Sequence, residues 1–141
     1  MKSKAENKLL AVVRVRGRVG TRQSINETLA RLNLKRVNNL AILYGNKSNI
    51  GMIHKVNDFV TFGEITPELM QELLKSKGFV VSKEDYEKVI SGKATLRNII
   101  NKTIRMHPPR RGYEGIKHGF SVGGALGYRG AEMGKLVKRM M

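Results

Sequence analysis

The stretch Leu9-Leu10-Ala11-Val12-Val13-Arg14-Val15-Arg16-Gly17 decides the fold. Branched and aliphatic residues with an alternating end are the mark of a strand. The alternation puts Ala11, Val13 and Val15 on one face and Arg14 and Arg16 on the other. Gly17 and Gly20 then open a basic loop. Beyond it Ile25, Leu29 and Leu32 recur at helical intervals behind Ser24 and Glu27, which have capping-box spacing. This predicts a helix over residues 25–32, with Asn33 as its left-handed stop. Asn39–Tyr44 reads as a second strand, closed by Gly45 and Asn46. Ser48 or Asn49 is placed to cap a second helix that turns Met52, Ile53 and Val56 inward and His54 and Lys55 outward. Residues 59–62 form a third strand ending at Gly63. The order strand, helix, strand, helix, strand predicts an α+β fold: a βαβαβ three-stranded sheet with both helices on one face.

Further along, Thr66 and Pro67 start a helix whose apolar stripe is Leu69, Met70, Leu73 and Leu74, and Gly78 ends it. Ser82 and Asp85 repeat the capping pattern for a helix through Val89 and Ile90 that stops near Gly92. These helices carry Glu68, Glu72, Glu84, Asp85 and Glu87, so a solvated acidic appendage turned away from any polyanion is expected. Leu96, Ile99, Ile100 and Ile104 predict a helix over 95–106. From His107 to Gly130 two prolines, several basic residues and many glycines leave few apolar anchors. Such a segment is expected to build no core, and to stay flexible or be ordered by a partner. Residues 131–141 read as a short basic helix weakened by Gly134. The divisions are 1–65 for the core, 66–92 for the acidic helical appendage and 93–141 for the basic glycine-rich extension, within one domain.

The charge follows those divisions. Residues 1–58 hold 12 Lys and Arg against 3 Asp and Glu, residues 59–90 hold 4 against 6, and residues 91–141 hold 11 against 2, giving +9, −2 and +9 and summing to the net +16. Two basic blocks around an acidic middle suit a polyanion gripped from two sides, and nucleic acid is the first candidate. With no Cys there is no disulfide framework, thiolate nucleophile or cysteine zinc site. His54, His107 and His118 are too scattered for a metal cluster. The longest apolar run, from Leu9 to Val13, is far short of the ~20 residues of a membrane span. The expectation is a cytoplasmic protein without cofactor or membrane contact.

Arg14, Arg16, Arg18 and Arg22 crowd the loop around Gly17 and Gly20, and their planar forks suit phosphate and guanine edges. The two glycines also match the clamp of a KH module, but that loop joins two helices, whereas this one follows a strand. No Gly-Lys-Ser/Thr string supports a nucleotide phosphate loop. The acidic residues and histidines lie apart, which gives catalysis little support. A free nucleic-acid-binding module and a small phosphate-handling enzyme are the rival readings. Tyr113, Phe120 and Tyr128 suit stacking on unpaired bases and anchoring of the segment to the protein equally well.

Several longer strings carry a resemblance. Val13-Arg14-Val15-Arg16-Gly17, Leu32-Asn33-Leu34 and Asn49-Ile50-Gly51-Met52-Ile53-His54-Lys55-Val56 resemble the core of the large-subunit ribosomal L-thirty family, called L-seven in eukaryotes. Met106-His107-Pro108-Pro109-Arg110 and Gly123-Gly124-Ala125-Leu126-Gly127-Tyr128-Arg129-Gly130 resemble its long archaeal and eukaryotic branch. The resemblance implies a ferredoxin-like core, a structural role without enzymatic activity, and a place in the cytoplasmic ribosome. Its implied partners are large-subunit rRNA, 5S rRNA and neighbouring ribosomal proteins. The residues expected to touch RNA are Arg14, Arg16, Arg18, Arg22, Lys35, Arg36, Lys47, Asn49 and Lys55 in the core. In the extension they are Arg105, His107, Arg110, Arg111, Lys117, His118, Tyr128, Arg129, Lys138 and Arg139.

Overall fold

The computed structural model describes residues 9–17, 19–79, 82–91, 104–110, 112–113, 115–120 and 123–140. The first strand, β1 (Leu9–Arg14), is followed by α1 (Gln23–Arg31), β2 (Asn39–Tyr44), α2 (Lys47–Lys55) and β3 (Val60–Glu64). β1 pairs antiparallel with β2 on one side, with Val12 opposite Ala41, and with β3 on the other, with Val12 opposite Phe62. β2 and β3 therefore run parallel with β1 between them, and α2 is the crossover of a split βαβ unit. This is the predicted three-stranded core. α1 starts two residues earlier than its capping-box signal, because Arg22 takes the N-cap position without a side-chain cap. α2 is capped by Asn46, whose side chain accepts from the Asn49 amide, and not by Ser48 or Asn49. Asn33 adopts φ 63° as the left-handed stop of α1.

After α3 (Pro67–Ser76) and α4 (Lys83–Ser91) come three more strands, β4 (Ile104–Arg105), β5 (Gly115–Gly119) and β6 (Gly124–Tyr128). A 3-10 turn at Gly130–Glu132 leads into the helix α5 (Met133–Met140). The six strands lie in the order β4-β2-β1-β3-β6-β5. β6 pairs parallel with β3, Thr61 facing Gly127, and β4 pairs antiparallel with β2.

Both faces of the central strands are covered. Leu10, Val12, Ala41, Val60 and Phe62 pack against Leu29 and Leu32 at α1 and Ile53 and Val56 at α2. Leu9, Ala11, Val13, Leu40 and Ile42 pack on the other side against α3, α4 and α5. The stripe Leu69, Met70, Leu73 and Leu74 is buried as predicted, in the main core. The acidic residues Glu68, Glu72, Glu84 and Glu87 remain exposed on the outside of those helices.

The extension departs furthest from expectation. Gly124, Ala125, Leu126 and Gly127 are buried in β6, and Met133, Leu136, Val137 and Met140 of α5 are each at most 1% exposed. The glycines permit close approach, which substitutes for bulk. A Cβ on Gly63 would lie 2.6 Å from both the Gly130 carbonyl oxygen and Met133 Cβ, and one on Gly134 would meet Leu69 Cδ2 at 3.4 Å. α5 can therefore sit directly on β3 and α3. The helix expected over 95–106 falls largely outside the described residues, and at its end Ile104 and Arg105 are strand.

Candidate nucleic-acid interface

Register places most of the basic loops at one end of the sheet. β1 ends there at Arg14, opposite Val60 where β3 begins, and β2 begins beside it with Leu40 opposite Val13. β4 ends there with Arg105 opposite Asn39. β6 and β5, parallel to β3 and to each other, also start at this end. The β1–α1 loop, the turn before β2, the α2–β3 turn and the segment after β4 thus converge, although they are far apart in the chain.

Asn38 ties them together. Its amide donates to the Arg14 carbonyl (2.9 Å), its carbonyl accepts from the Met106 amide (3.1 Å), and its Oδ1 accepts from the Tyr113 hydroxyl (2.6 Å). It holds φ at 66°, a conformation that asparagine tolerates better than most residues. The C-terminal helix is fastened to the same end. His107 and Arg110 donate backbone bonds to the Met140 and Arg139 carbonyls (3.2 and 3.1 Å), and the Arg139 guanidinium returns a bond to the Arg110 carbonyl (2.8 Å).

The expected contact residues fall into distinct groups. Arg22, Lys35, Arg36 and Lys55 are exposed in the converging core loops, with Arg16 half-buried. The Arg16 guanidinium lies 5.3 Å from the Phe59 ring centroid, which fixes its direction. Arg105, His107, Arg110 and Lys138 are exposed at the same end, and Arg139 is half-buried. Asp58 contributes an exposed carboxylate among these cations. Lys47 is exposed at the opposite end, beyond the last residue of β2, so the fold does not bring it into this group. Asn49 is close to Lys47 and braces the turn there, its Nδ2 donating to the Tyr44 carbonyl (2.9 Å). Arg18 and Arg111 lie outside the described residues. Lys117 and His118 are on β5, with their side chains outside the description.

Besides Asn49 and Arg139, three more expected contact residues bond within the fold. Arg14 is 2% exposed, with Nη1 donating to the Leu34 carbonyl (2.9 Å) and Nε to the Arg16 carbonyl (2.8 Å). Alternation does turn Arg14 away from Val13, but toward the side where the α1–β2 connection closes over it. Carbonyls of that connection require donors, and a guanidinium has five. Arg129 is 6% exposed, with Nε donating to Thr61 Oγ1 (2.7 Å), Nη2 to the Ala125 carbonyl (3.1 Å), and its guanidinium 5.0 Å from the Phe120 ring centroid. Tyr128 donates its hydroxyl to Glu64 Oε1 (2.8 Å) and packs its ring 5.5 Å from that of Phe62. Burial, and then the bond to the Glu64 carboxylate and its charge, push the Tyr128 phenol up to about 12. Tyr113 is likewise pushed up to about 12, chiefly by burial, with the Arg129 charge opposing. Both tyrosines anchor the extension to the core.

Sequence reading did not single out Asn38 as the residue joining these loops. Its signal was present as Asn38 directly before a strand that opens at Asn39, a place where a left-handed residue can start the strand at a sharp angle. Among the described residues no three potential metal ligands cluster, and no helix is long and apolar enough to cross a membrane.

The model of the family described as ribosomal protein L30p/L7e matches residues 10–60, from β1 to the start of β3. The chain is similar along nearly its whole length to proteins named large ribosomal subunit protein uL30. The one from Methanococcus vannielii is 41% identical over 151 aligned positions, covering 93% of this chain and 98% of the relative. The one from Nanoarchaeum equitans is 40% identical, covering 93% and 97%. The one from Methanoregula boonei is 35% identical over 153 positions, covering 94% and 99%.

Proposed function

The chain belongs to the ribosomal protein L30p/L7e family, a structural and non-enzymatic group of large-subunit proteins, and from that premise we propose that its basic sheet end is the rRNA-docking surface. The observation that carries the proposal is the convergence of Arg16, Arg22, Lys35, Arg36, Lys55, Arg105, His107, Arg110, Lys138 and Arg139 from separate loops, strand ends and helix ends onto one end of the sheet. Fixed cations neutralise phosphates and release counterions, while their fixed spacing reads the shape of folded RNA. The acidic outer residues of α3 and α4 face away from RNA in this reading. Arg18, Arg111, Lys117 and His118 are further RNA-contact candidates on the strength of the sequence resemblance alone, and Lys47 at the opposite end makes a separate contact. We also assign residues 1–65 as the docking core, 66–92 as the acidic flank and 93–141 as the segment that braces the docking end, with 5S rRNA as a second RNA partner beside the neighbouring ribosomal proteins.

A salt titration tests the docking surface. If ~6 to 10 phosphates are neutralised, affinity for large-subunit rRNA falls by ~10³ to 10⁵ between 50 and 200 mM salt. Replacing Arg22, Lys55 and Arg110 together by Ala should weaken binding and flatten the salt slope, whereas Lys47→Ala should change either much less. Equal losses from the triple variant and from Lys47→Ala would refute the assignment. The 5S arm is separate: full-length protein titrated with isolated 5S rRNA should show salt-dependent binding that the triple variant weakens.

A further inference from the structure

Gly51 in α2 and Gly134 in α5 are the glycines inside the described α-helices. A glycine there gives up more backbone freedom on folding than alanine does, so each calls for a reason. Gly134 has one within the fold, because a Cβ there would lie 3.4 Å from Leu69 Cδ2 where α5 meets α3. Gly51 has none. It is exposed, its φ is not in the left-handed region, and its Cβ would meet nothing within 4 Å among the described residues. Alanine would fit without contact and make a better helix, so the space that this glycine leaves open lies on the outside of the protein.

The residues around Gly51 indicate what uses that space. Neighbours on a helix surface are three and four positions apart, which sets Lys47, Ser48, His54 and Lys55 about it, and all four are exposed. Ile53, the residue that α2 buries, lies on the opposite side. The His54 ring stands edge-on to Phe62, 6.2 Å between centroids, which fixes one wall of the depression. α2 carries no acidic residue, and its rim offers ammonium, hydroxyl and imidazole donors. Lys47 and Lys55 are ~12 Å apart along the helix axis at the usual rise per residue, far enough to serve different phosphates. A cationic rim around bare helix backbone thus suits a polyanion lying across it, with its bulk closest at the residue that has no side chain. We propose that a sugar–phosphate strand of the bound rRNA crosses α2 at Gly51, between Lys47 and Lys55. The inference rests on the rRNA-docking reading and carries that surface from the basic sheet end along α2 to Lys47.

Gly51→Ala and Gly51→Gln fill the space in two steps without changing charge. In the free full-length protein, Gly51→Ala should raise the thermal midpoint by about 2 to 4 °C and Gly51→Gln should not lower it, since both residues form helix better than glycine. With purified large-subunit rRNA as the probe, affinity should fall by about threefold for Gly51→Ala and about tenfold for Gly51→Gln. The salt slope should stay that of the parent, because no charge is lost. A short run of riboses that the parent shields from hydroxyl-radical cleavage should reopen with Gly51→Gln. Parent-like affinity and an unchanged cleavage pattern with Gly51→Gln would overturn the inference, whether water or a neighbouring protein occupies the space, and would leave the docking surface intact. A Gly51→Ala midpoint below that of the parent would overturn it as well, because the glycine would then serve the fold. Absence of salt-dependent rRNA binding by the parent protein would instead overturn the reading beneath it.

Discussion

Arg14, Arg129 and Tyr128 look like RNA ligands by composition, yet each bonds to the protein's own backbone or side chains. A cation in an otherwise basic stretch reads the same whether it faces solvent or closes over a turn, because one-dimensional spacing does not reveal what lies above the strand. Arg129→Met is therefore expected to act on stability. It leaves Thr61 Oγ1 and the Ala125 carbonyl without their donor and should cost about 2 to 3 kcal/mol by chemical denaturation, while rRNA affinity of the folded fraction stays near that of the parent. Tyr128 supplies a pH signature. Its folded-state pKa of about 12 lies above the ordinary 10.0, so the neutral phenol stabilises the fold below pH 10 and that contribution is lost as pH rises toward 12. Unfolding free energies of the parent and Tyr128→Phe, measured from pH 9 to 12, should converge across that window. Curves that stay parallel would show that the phenol does not titrate with folding.

At the scale of elements, hydrophobic period made β1, β2 and α2 legible, and start signals added α3 and α4. Thr66 accepts from the Leu69 amide and Ser82 from the Asp85 amide, as their spacing predicted. β6 was missed because Gly-Ala-Leu-Gly-Tyr has too little bulk to signal a strand. It is stabilised instead by parallel pairing with β3 and by the bond from Thr61 Oγ1 to the Gly127 carbonyl (3.0 Å), a contact 66 residues away in sequence. Amides of β6 and α5 should accordingly be protected from hydrogen exchange in the RNA-free protein, whereas rapid exchange there would contradict a sheet that includes β6. Gly63 tests the close approach directly. Gly63→Ala forces a methyl into the Gly130 carbonyl and the Met133 side chain and should destabilise by about 1 to 3 kcal/mol, read as a lower thermal midpoint. The same change at Gly51, where a Cβ would meet nothing within 4 Å, serves as the control and should not lower the midpoint.

Across the whole molecule, the C-terminal third completes the core and is not a tail added to it. Met133, Leu136, Val137 and Met140 fill the space between α3 and the odd-numbered side chains of β1. A chain ended after residue 123 would expose that face, so it should lose cooperative thermal unfolding and not merely bind RNA less tightly. Retention of a sharp transition would show that the core is self-sufficient without β6 and α5. The unbroken run Leu9 to Val13 carried the hint, since a strand apolar at every position requires cover on both faces. By itself the sequence determined the alternation, caps and helical stripes of the βαβαβ core, the distribution of charge, and strings specific enough to mark the family, because all of these depend on neighbours within a few residues. Only the tertiary structure decided which arginines are buried, that glycine-rich segments supply sheet and helix packing, and that distant basic loops meet at one sheet end around Asn38. Those outcomes depend on register and close approach between segments that are far apart in the chain, and no local pattern encodes such distances.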